Sequence, residues 1–183
     1  MSFAADKKNI LKRPDLSQKG SWDAPILPLL EKINSTDSYF TTSSCSGRIV
    51  LISRLAHNKD KAARILNSHK EVETSQIEDL IWSWKGQGVL HFIFEGLILH
   101  ITCKDQESAI KLLNKVLPIC KHSGIIAADP WRLEIKTSER IELPVAKDGI
   151  PLIESAYIPH LIQGANDAFK RNQIIIEKIK KIF

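Results

Sequence analysis

One segment of the 183-residue chain concentrates side chains that bind anions. It runs from Tyr39 to Arg48 and reads YFTTSSCSGR, with five small hydroxyl residues, a cysteine, a glycine and an arginine. Hydroxyl and backbone N–H groups donate hydrogen bonds to anions, and glycine lets the backbone approach a ligand closely. Arg48 adds a permanently charged planar group that suits a carboxylate or a phosphate. The segment therefore predicts an anion-binding loop, although an ordinary Ser/Thr-rich turn has the same composition.

Several common site types are absent from the sequence. It contains no P-loop and no GxGxxG fingerprint after a strand, so a Rossmann-type nucleotide site is not expected. Cys45, Cys103 and Cys120 are widely spaced, which excludes a disulfide framework and a CxxC zinc site. His91, His100 and Cys103 lie on neighbouring predicted strands but lack metal-ligand spacing, so no metal is expected.

Charge is concentrated at the two ends of the chain. The net charge is +5, of which residues 1–20 carry +3 and residues 168–183 carry +4, so the remainder is slightly acidic. Two basic ends on a near-neutral body are typical of proteins that contact nucleic acid phosphates. Solvated ends that only keep the protein soluble are the alternative.

Four segments of the chain have the composition of strands. Arg48–Leu55 and Val89–Cys103 are rich in β-branched and apolar residues, and the second is interrupted at Glu95-Gly96. Trp131–Thr137 and Arg140–Val145 follow, and a tight turn at 138–139 is predicted to join them. Residues 62–69 fit a helix or a strand equally well. The chain thus supplies enough strands for a sheet.

Four helices are predicted around this sheet. One is short: it follows a capping box formed by Ser75 and Glu78 and ends near Gly86. Asp23 or Ser21 caps a short helix that runs to residue 33, and Asp105 caps a helix that ends at Gly124. From about Ser155, apolar residues recur at helical spacing to the end of the chain. We therefore predict an α+β fold with a mixed or largely antiparallel sheet flanked by helices and a long C-terminal amphipathic helix. Because strands and helices interleave irregularly, a Rossmann-type, doubly wound fold is not expected.

The whole chain, residues 1–183, is expected to form a single domain, with residues 1–14 as a basic and loosely ordered N-terminus. Hydrophobic residues make up 43% of the sequence, which suits a globular protein with a real core. No apolar run is long enough to span a membrane, and no secretory signal is present. A cytoplasmic protein without membrane contact is expected.

Several motifs resemble one family, the tRNA wybutosine-synthesizing protein 3 family. The most specific is the TTSSCSGR run, and the likeness includes DLSQKGSWD at 15–23 and FEGLILHITC at 94–103. Supporting matches stand at residues 68–70, 123–125 and 141–144 and in the tail from Ala165 to Asn172. The resemblance spans nearly the whole chain in the expected order.

The resemblance implies an S-adenosylmethionine-dependent tRNA methyltransferase. It would act on N4 of the tricyclic wyosine (wybutosine) precursor beside the anticodon of phenylalanine tRNA. A non-catalytic tRNA-binding partner that presents the anticodon loop to another enzyme is the alternative. A third interpretation is a structural or regulatory protein that binds a small anion through the TTSSCSGR loop.

This activity assigns expected roles to particular residues. A target nitrogen that carries a proton needs a base, for which His69, Glu95 and His100 are candidates, although His100 could instead be a satisfied histidine on a buried strand. Methyl transfer from a sulfonium requires no covalent enzyme intermediate, so Cys45 is not expected to act as a nucleophile. Arg48 is expected to hold an anionic group unless an internal carboxylate pairs with it. The predicted cofactor-binding residues are Ser43, Ser44, Cys45, Ser46, Gly47 and Arg48. The aromatic candidates for stacking on adenine or the base, or otherwise for core packing, are Phe40, Trp82, Trp84, Phe92 and Phe94.

Overall fold

The computed structural model describes residues 2–12, 23–55 and 58–183, and the side chains of these residues apart from those at 55 and 58–62. Most of the DLSQKGSWD motif and Ser21 therefore lie outside the described residues. The α-helices are α1 (Phe3–Leu11), α2 (Leu27–Ser35), α3 (Thr74–Ser83), α4 (Gln106–Val116) and α5 (Ile158–Lys180). Short 3₁₀ turns at Ala24–Ile26 and Ser155–Tyr157 precede α2 and α5. The strands are β1 (Tyr39–Cys45), β2 (Arg48–Leu55), β3 (Asn58–Ser68), β4 (Val89–Glu95), β5 (Ile98–Cys103), β6 (Gly124–Ala128), β7 (Trp131–Lys136), β8 (Arg140–Lys147) and β9 (Ile150–Pro151).

These strands form two antiparallel sheets. Sheet 1 has the order β1-β5-β7-β6, and sheet 2 has the order β3-β2-β4-β8-β9. The α+β class and the long C-terminal helix are confirmed. The tight turn predicted at 138–139 does not join β7 and β8 into a hairpin, because the two strands belong to different sheets. Local composition identifies a strand but does not identify its partner.

The described residues divide into two compact units, each with one sheet. Unit 1 contains Met1–Ser46, Leu97–Ser138 and Asn172–Phe183, and unit 2 contains Gly47–Gly96 and Glu139–Arg171. The chain passes from unit 1 to unit 2 at Gly47, whose φ of 101° lies in the region that glycine adopts readily.

Unit 1 builds its core on one face of sheet 1. Leu99, Ile101, Leu133 and Ile135 are fully buried and alternate with more polar residues along β5 and β7. They share one core with apolar residues of α2, α4 and the last turns of α5. Because side chains alternate across a strand, the polar residues between them lie on the opposite face. The second face of sheet 1 therefore carries the polar side chains that could bind a ligand or take part in a reaction.

Unit 2 packs sheet 2 against α3 and the first part of α5. Ile49, Leu51, Phe92 and Phe94 are fully buried in this core, together with apolar residues of both helices. The β8–β9 turn has positive φ at Asp148 and Gly149, as a tight hairpin turn requires.

Some helix boundaries differ from the sequence prediction. The N-terminal segment contains α1, capped by Ser2, where a loosely ordered segment was expected. Asp105 caps α4 as predicted and accepts a hydrogen bond from Ser108 N at 2.8 Å. However, α4 ends at Val116, and Gly124 begins β6. Among the described residues, no helix is both long and apolar enough to cross a membrane.

Candidate active site

The second face of sheet 1, which we call the polar face, carries three rows of side chains across β1, β5 and β7. Residues directly opposite each other in an antiparallel pair point to the same side of the sheet. The register places Ser43, His100 and Glu134 in the middle row. The rows on either side are Cys45, Ile98 and Lys136, and Phe40, Thr102 and Arg132.

His100 and Glu134 form a hydrogen-bonded dyad in the middle row. His100 Nε2 lies 3.0 Å from Glu134 Oε2, and about a quarter of each side chain is exposed, 26% and 25%. In the tautomer whose Nε2–H donates to Glu134, Nδ1 keeps a lone pair that can accept a proton. A carboxylate that orients an imidazole in this way is a common arrangement for a general base.

Glu134 was missed by the sequence analysis. The alternation in WRLEIK, with Leu133 and Ile135 buried, places Glu134 on the polar face. However, its pairing with His100 depends on the β5–β7 register, which no local pattern reveals. The two residues are 34 positions apart in the chain.

The hydroxyl-rich segment is a strand and not the predicted loop. β1 alternates, so Ser43 and Cys45 lie on the polar face, whereas Ser44 pairs with Leu99 and points to the core side. A bulge between Thr41 and Ser43 shifts the register. Of the predicted cofactor-binding residues, only Ser43 and Cys45 share the face of His100.

Ser46 has a structural role at the end of this segment. It is fully buried, and Asp23 Oδ2 accepts hydrogen bonds from its backbone N at 3.0 Å and its Oγ at 3.1 Å. Its carbonyl oxygen accepts a bond from Asn172 Nδ2 at 2.6 Å. Because these groups are already bonded, Ser46 is not available to bind a ligand directly. Asp23, predicted as a helix cap, makes no cap bond and holds Ser46 instead.

A cavity of about 370 Å³ adjoins the polar face at the row that contains Phe40 and Thr102. Helix α1 forms one wall, and its Phe3 ring packs against Phe40 with ring centroids 5.2 Å apart. Trp131 adds a third aromatic ring to the lining. The charged side chains of the lining are Asp6, Lys104, Asp129 and Arg132. Aromatic rings beside charges of both signs suit a ligand with a flat ring and polar ends.

The cysteine in this cavity wall does not supply a nucleophile. Burial, with a smaller contribution from the neighbouring Asp105 carboxylate, raises the pKa of the Cys103 thiol to about 12. Cys103 is 2% exposed. Because the thiolate is the reactive form, Cys103 is inert near neutral pH.

The remaining predicted site residues lie in unit 2. Arg48 Nε and Nη2 each lie 2.8 Å from Glu95 Oε2, and Arg140 Nη1 lies 3.4 Å from Glu95 Oε1. The internal carboxylate that would remove the need for a ligand anion at Arg48 is therefore present. Both oxygens of Glu95, predicted as a base, are engaged by arginines. His69 follows β3 and is half-buried in the same unit.

The aromatic candidates also separate into two groups. Trp84, Phe92 and Phe94 are buried in the core of unit 2, so core packing was the correct alternative for them. Trp82 is 41% exposed, and its indole N–H donates to Glu78 on the same helix. Phe40 lines the cavity in unit 1.

Comparison with known proteins connects this fold to one family. The family model described as Methyltransferase TYW3 matches residues 5–183. The chain is 35% identical to a Thermococcus sibiricus protein named tRNA(Phe) 7-((3-amino-3-carboxypropyl)-4-demethylwyosine(37)-N(4))-methyltransferase, over 99% of this chain and 92% of that protein. The solved structure of the PH1069 protein from Pyrococcus horikoshii superposes with a TM-score of 0.88 at 33% identity, covering 98% of this chain and 93% of that chain.

These matches confirm the resemblance found in the motifs. Because the family model and a relative that is more than 30% identical both extend over nearly the full length, the chain belongs to the Methyltransferase TYW3 family.

Proposed function

We propose that the protein transfers a methyl group from S-adenosylmethionine to N4 of 7-(3-amino-3-carboxypropyl)-4-demethylwyosine at position 37 of tRNA(Phe). Family membership and the names of the relatives support this reaction. The observation that carries it is the His100–Glu134 dyad on the polar face, beside a cavity lined by aromatic and charged groups. This combination provides a proton acceptor next to space for a small ligand.

The polar face and its cavity fit the chemistry of the methyl donor. Three rings, those of Phe3, Phe40 and Trp131, offer surfaces for a purine, and the polar groups include donors and acceptors. S-Adenosylmethionine supplies a methyl group on a sulfonium, which is already a strong electrophile. The protein therefore has to orient the reacting atoms and exclude water more than to activate the donor.

His100 has a defined task in this reaction. A 4-demethyl nitrogen carries a hydrogen where the product carries the methyl group, so a proton must leave as the N–CH₃ bond forms and the S–CH₃ bond breaks. His100 Nδ1 accepts that proton while Glu134 holds the ring and stabilises the imidazolium. The proton then passes to solvent, to which the dyad is partly open.

Transfer of labelled methyl groups tests the proposal. Wild-type protein should move the label from S-adenosylmethionine into tRNA(Phe) that carries the demethylwyosine precursor. General bases contribute about 10²- to 10⁴-fold, so His100→Gln should lower kcat by roughly 100-fold or more, with KM changed only a few-fold. Glu134→Gln should lower kcat less.

Two exposed residues of unit 1 provide matched controls. His122→Gln and Glu107→Gln make the same chemical changes away from the polar face and should leave kcat unchanged. Full activity of His100→Gln would show that the dyad is not the base. Wild-type protein that binds the tRNA but transfers no label would instead support a non-catalytic tRNA-binding partner.

A further inference from the structure

Two buried polar groups in the cavity wall have no hydrogen-bond partner among the described residues. Thr102 and Arg132 are directly opposite each other on β5 and β7, and both line the cavity. Thr102 is only 3% exposed, and its Oγ1 is unpartnered. Arg132 Nε is also buried without a partner. Polar atoms buried in this way are costly to leave unbonded, so their placement side by side points to a missing ligand group.

The chemistry of the pair favours a carboxylate. A guanidinium is planar, always charged and presents parallel N–H donors that match the two oxygens of a carboxylate. A threonine hydroxyl beside it can donate one further bond to the same group. Arg132 forms no ion pair with any described residue, so its charge is available to a ligand.

The rest of the lining adds charges of both signs, including a second cation, Lys104. Asp6 and Asp129 line the same cavity, and neither forms an ion pair within the described part of the chain. Two carboxylates would repel a phosphate of the RNA backbone, but they would attract an ammonium group. The lining therefore holds two cations, Arg132 and Lys104, and two unpaired aspartates, and groups of both signs suit a zwitterion.

We propose that this cavity binds the 3-amino-3-carboxypropyl end of a ligand, with its carboxylate on Arg132 and Thr102 and its ammonium facing Asp6 or Asp129. The proposal rests on the proposed function, in which this α-amino acid group occurs twice. The methyl donor carries it on the sulfonium sulfur, and the base named for the relatives carries it at position 7. Both ligands would therefore present the same α-amino acid group to the cavity.

Equilibrium binding distinguishes the sources without requiring turnover. In the donor arm, affinities are measured for S-adenosylhomocysteine and for 5′-methylthioadenosine, which lacks the amino acid end. In the substrate arm, affinities are measured for anticodon stem-loops whose tricyclic base carries or lacks the 3-amino-3-carboxypropyl group. In each arm, the dissociation constant of the ligand that lacks the 3-amino-3-carboxypropyl group is divided by that of the ligand that carries it. This ratio gives the contribution of the group to binding.

The variants are Arg132→Gln, which removes the charge, and Thr102→Val, which keeps the shape of the side chain. A charge-assisted hydrogen-bonded pair corresponds to roughly 10- to 100-fold in affinity, so Arg132→Gln should reduce one of the two ratios by that factor. Thr102→Val should reduce the same ratio by a smaller factor. Lys111→Gln is the control and should leave both ratios unchanged, because Lys111 is an exposed residue of α4, the helix that packs on the core face of sheet 1.

A fall in the donor ratio identifies the methyl donor as the source, and a fall in the substrate ratio identifies the base. If both ratios in Arg132→Gln and in Thr102→Val stay within twofold of wild type, the proposal is overturned. Thr102→Val keeps the test decisive if Arg132→Gln does not fold. Failure of the proposed function is a separate result, because wild-type protein would then transfer no label whatever its binding ratios.

Discussion

Arg48 and Glu95 are paired across β2 and β4 by two guanidinium nitrogens on one carboxylate oxygen. About 30% of each side chain is exposed, so water screens the pair and its contribution to stability is modest. We predict that Arg48→Lys loses at most about 1 kcal/mol of folding free energy and binds S-adenosylhomocysteine within twofold of wild type. Thermal unfolding and calorimetric titration measure the two quantities.

Arg54→Lys is the matched control, because Arg54 pairs with Glu142 on the same sheet at 2.6 Å. The two variants should behave alike. If Arg48→Lys alone lost ligand affinity while its thermal stability was unchanged, Arg48 would bind an anionic group of the ligand, as the sequence predicts.

The sequence predicts which residue types lie near the site better than it predicts the role of each residue. The composition of the segment from Tyr39 to Arg48 predicts a binding segment, and His100 is among the candidate bases. However, the roles within the segment separate by strand alternation: Ser43 faces the polar side, Ser44 faces the core side, and Ser46 is bonded to Asp23. A loop prediction could not produce that separation, because it assigns no faces.

Asn172 on α5 connects three chain segments within unit 1. Its Oδ1 accepts bonds from Leu97 N at 2.7 Å and Thr137 Oγ1 at 3.4 Å, and its Nδ2 donates to Ser46 O. The side chain is fully buried. It therefore fixes the end of the β1 segment, the start of β5 and the end of β7, the three strands that carry the polar face.

We predict that Asn172→Ala lowers the free energy of unfolding by about 3 kcal/mol, since each buried group left without a partner costs roughly 1–3 kcal/mol. Gln163→Ala, an exposed amide on the same helix bonded only to Asp167 among the described residues, should cost less than about 0.5 kcal/mol. Denaturant unfolding of both variants provides the measurement. Equal losses would mean that the buried amide has no special part in holding these strands.

Elements with strong periodicity could be predicted, and strand pairing could not. The bounds of β2 agree with the predicted strand, and β4 and β5 occupy the predicted segment with its break at Glu95-Gly96. The break is also where the chain leaves unit 2 for unit 1. Nothing in the local sequence shows that β7 and β8 pair with different strands, because pairing depends on residues far apart in the chain.

At the scale of the whole molecule, both basic ends contribute to unit 1. The N-terminal helix and the tail from Asn172 onward belong to this unit, which also carries the polar face and the cavity. In contrast, Lys170 and Arg171 belong to unit 2 and form ion pairs with Glu71 and Glu139. The unpaired part of the basic tail is therefore on the unit that holds the candidate active site.

The basic tail also packs against the core of unit 1, so its charge has to be tested without removing the packing residues. Ile176 and Ile179 are buried in the core of unit 1, so deleting the tail would disturb the fold as well as the charge. Substitution of exposed lysines avoids this difficulty. Lys178 and Lys181 are exposed and form no ion pair with a described residue.

We predict that the double variant Lys178→Gln and Lys181→Gln binds tRNA more weakly and with a flatter dependence on salt. Each lysine that contacts a phosphate releases about one counterion, so the slope of log K against log salt should fall by up to about 2. The control replaces Lys70 and Lys147, two exposed lysines of unit 2, and should leave the slope close to wild type. Filter binding between about 50 and 200 mM salt measures both slopes. If the control flattens the slope as much as the tail variant, phosphate contacts are not concentrated on unit 1, and if the tail variant keeps the wild-type slope, the basic tail serves for packing alone.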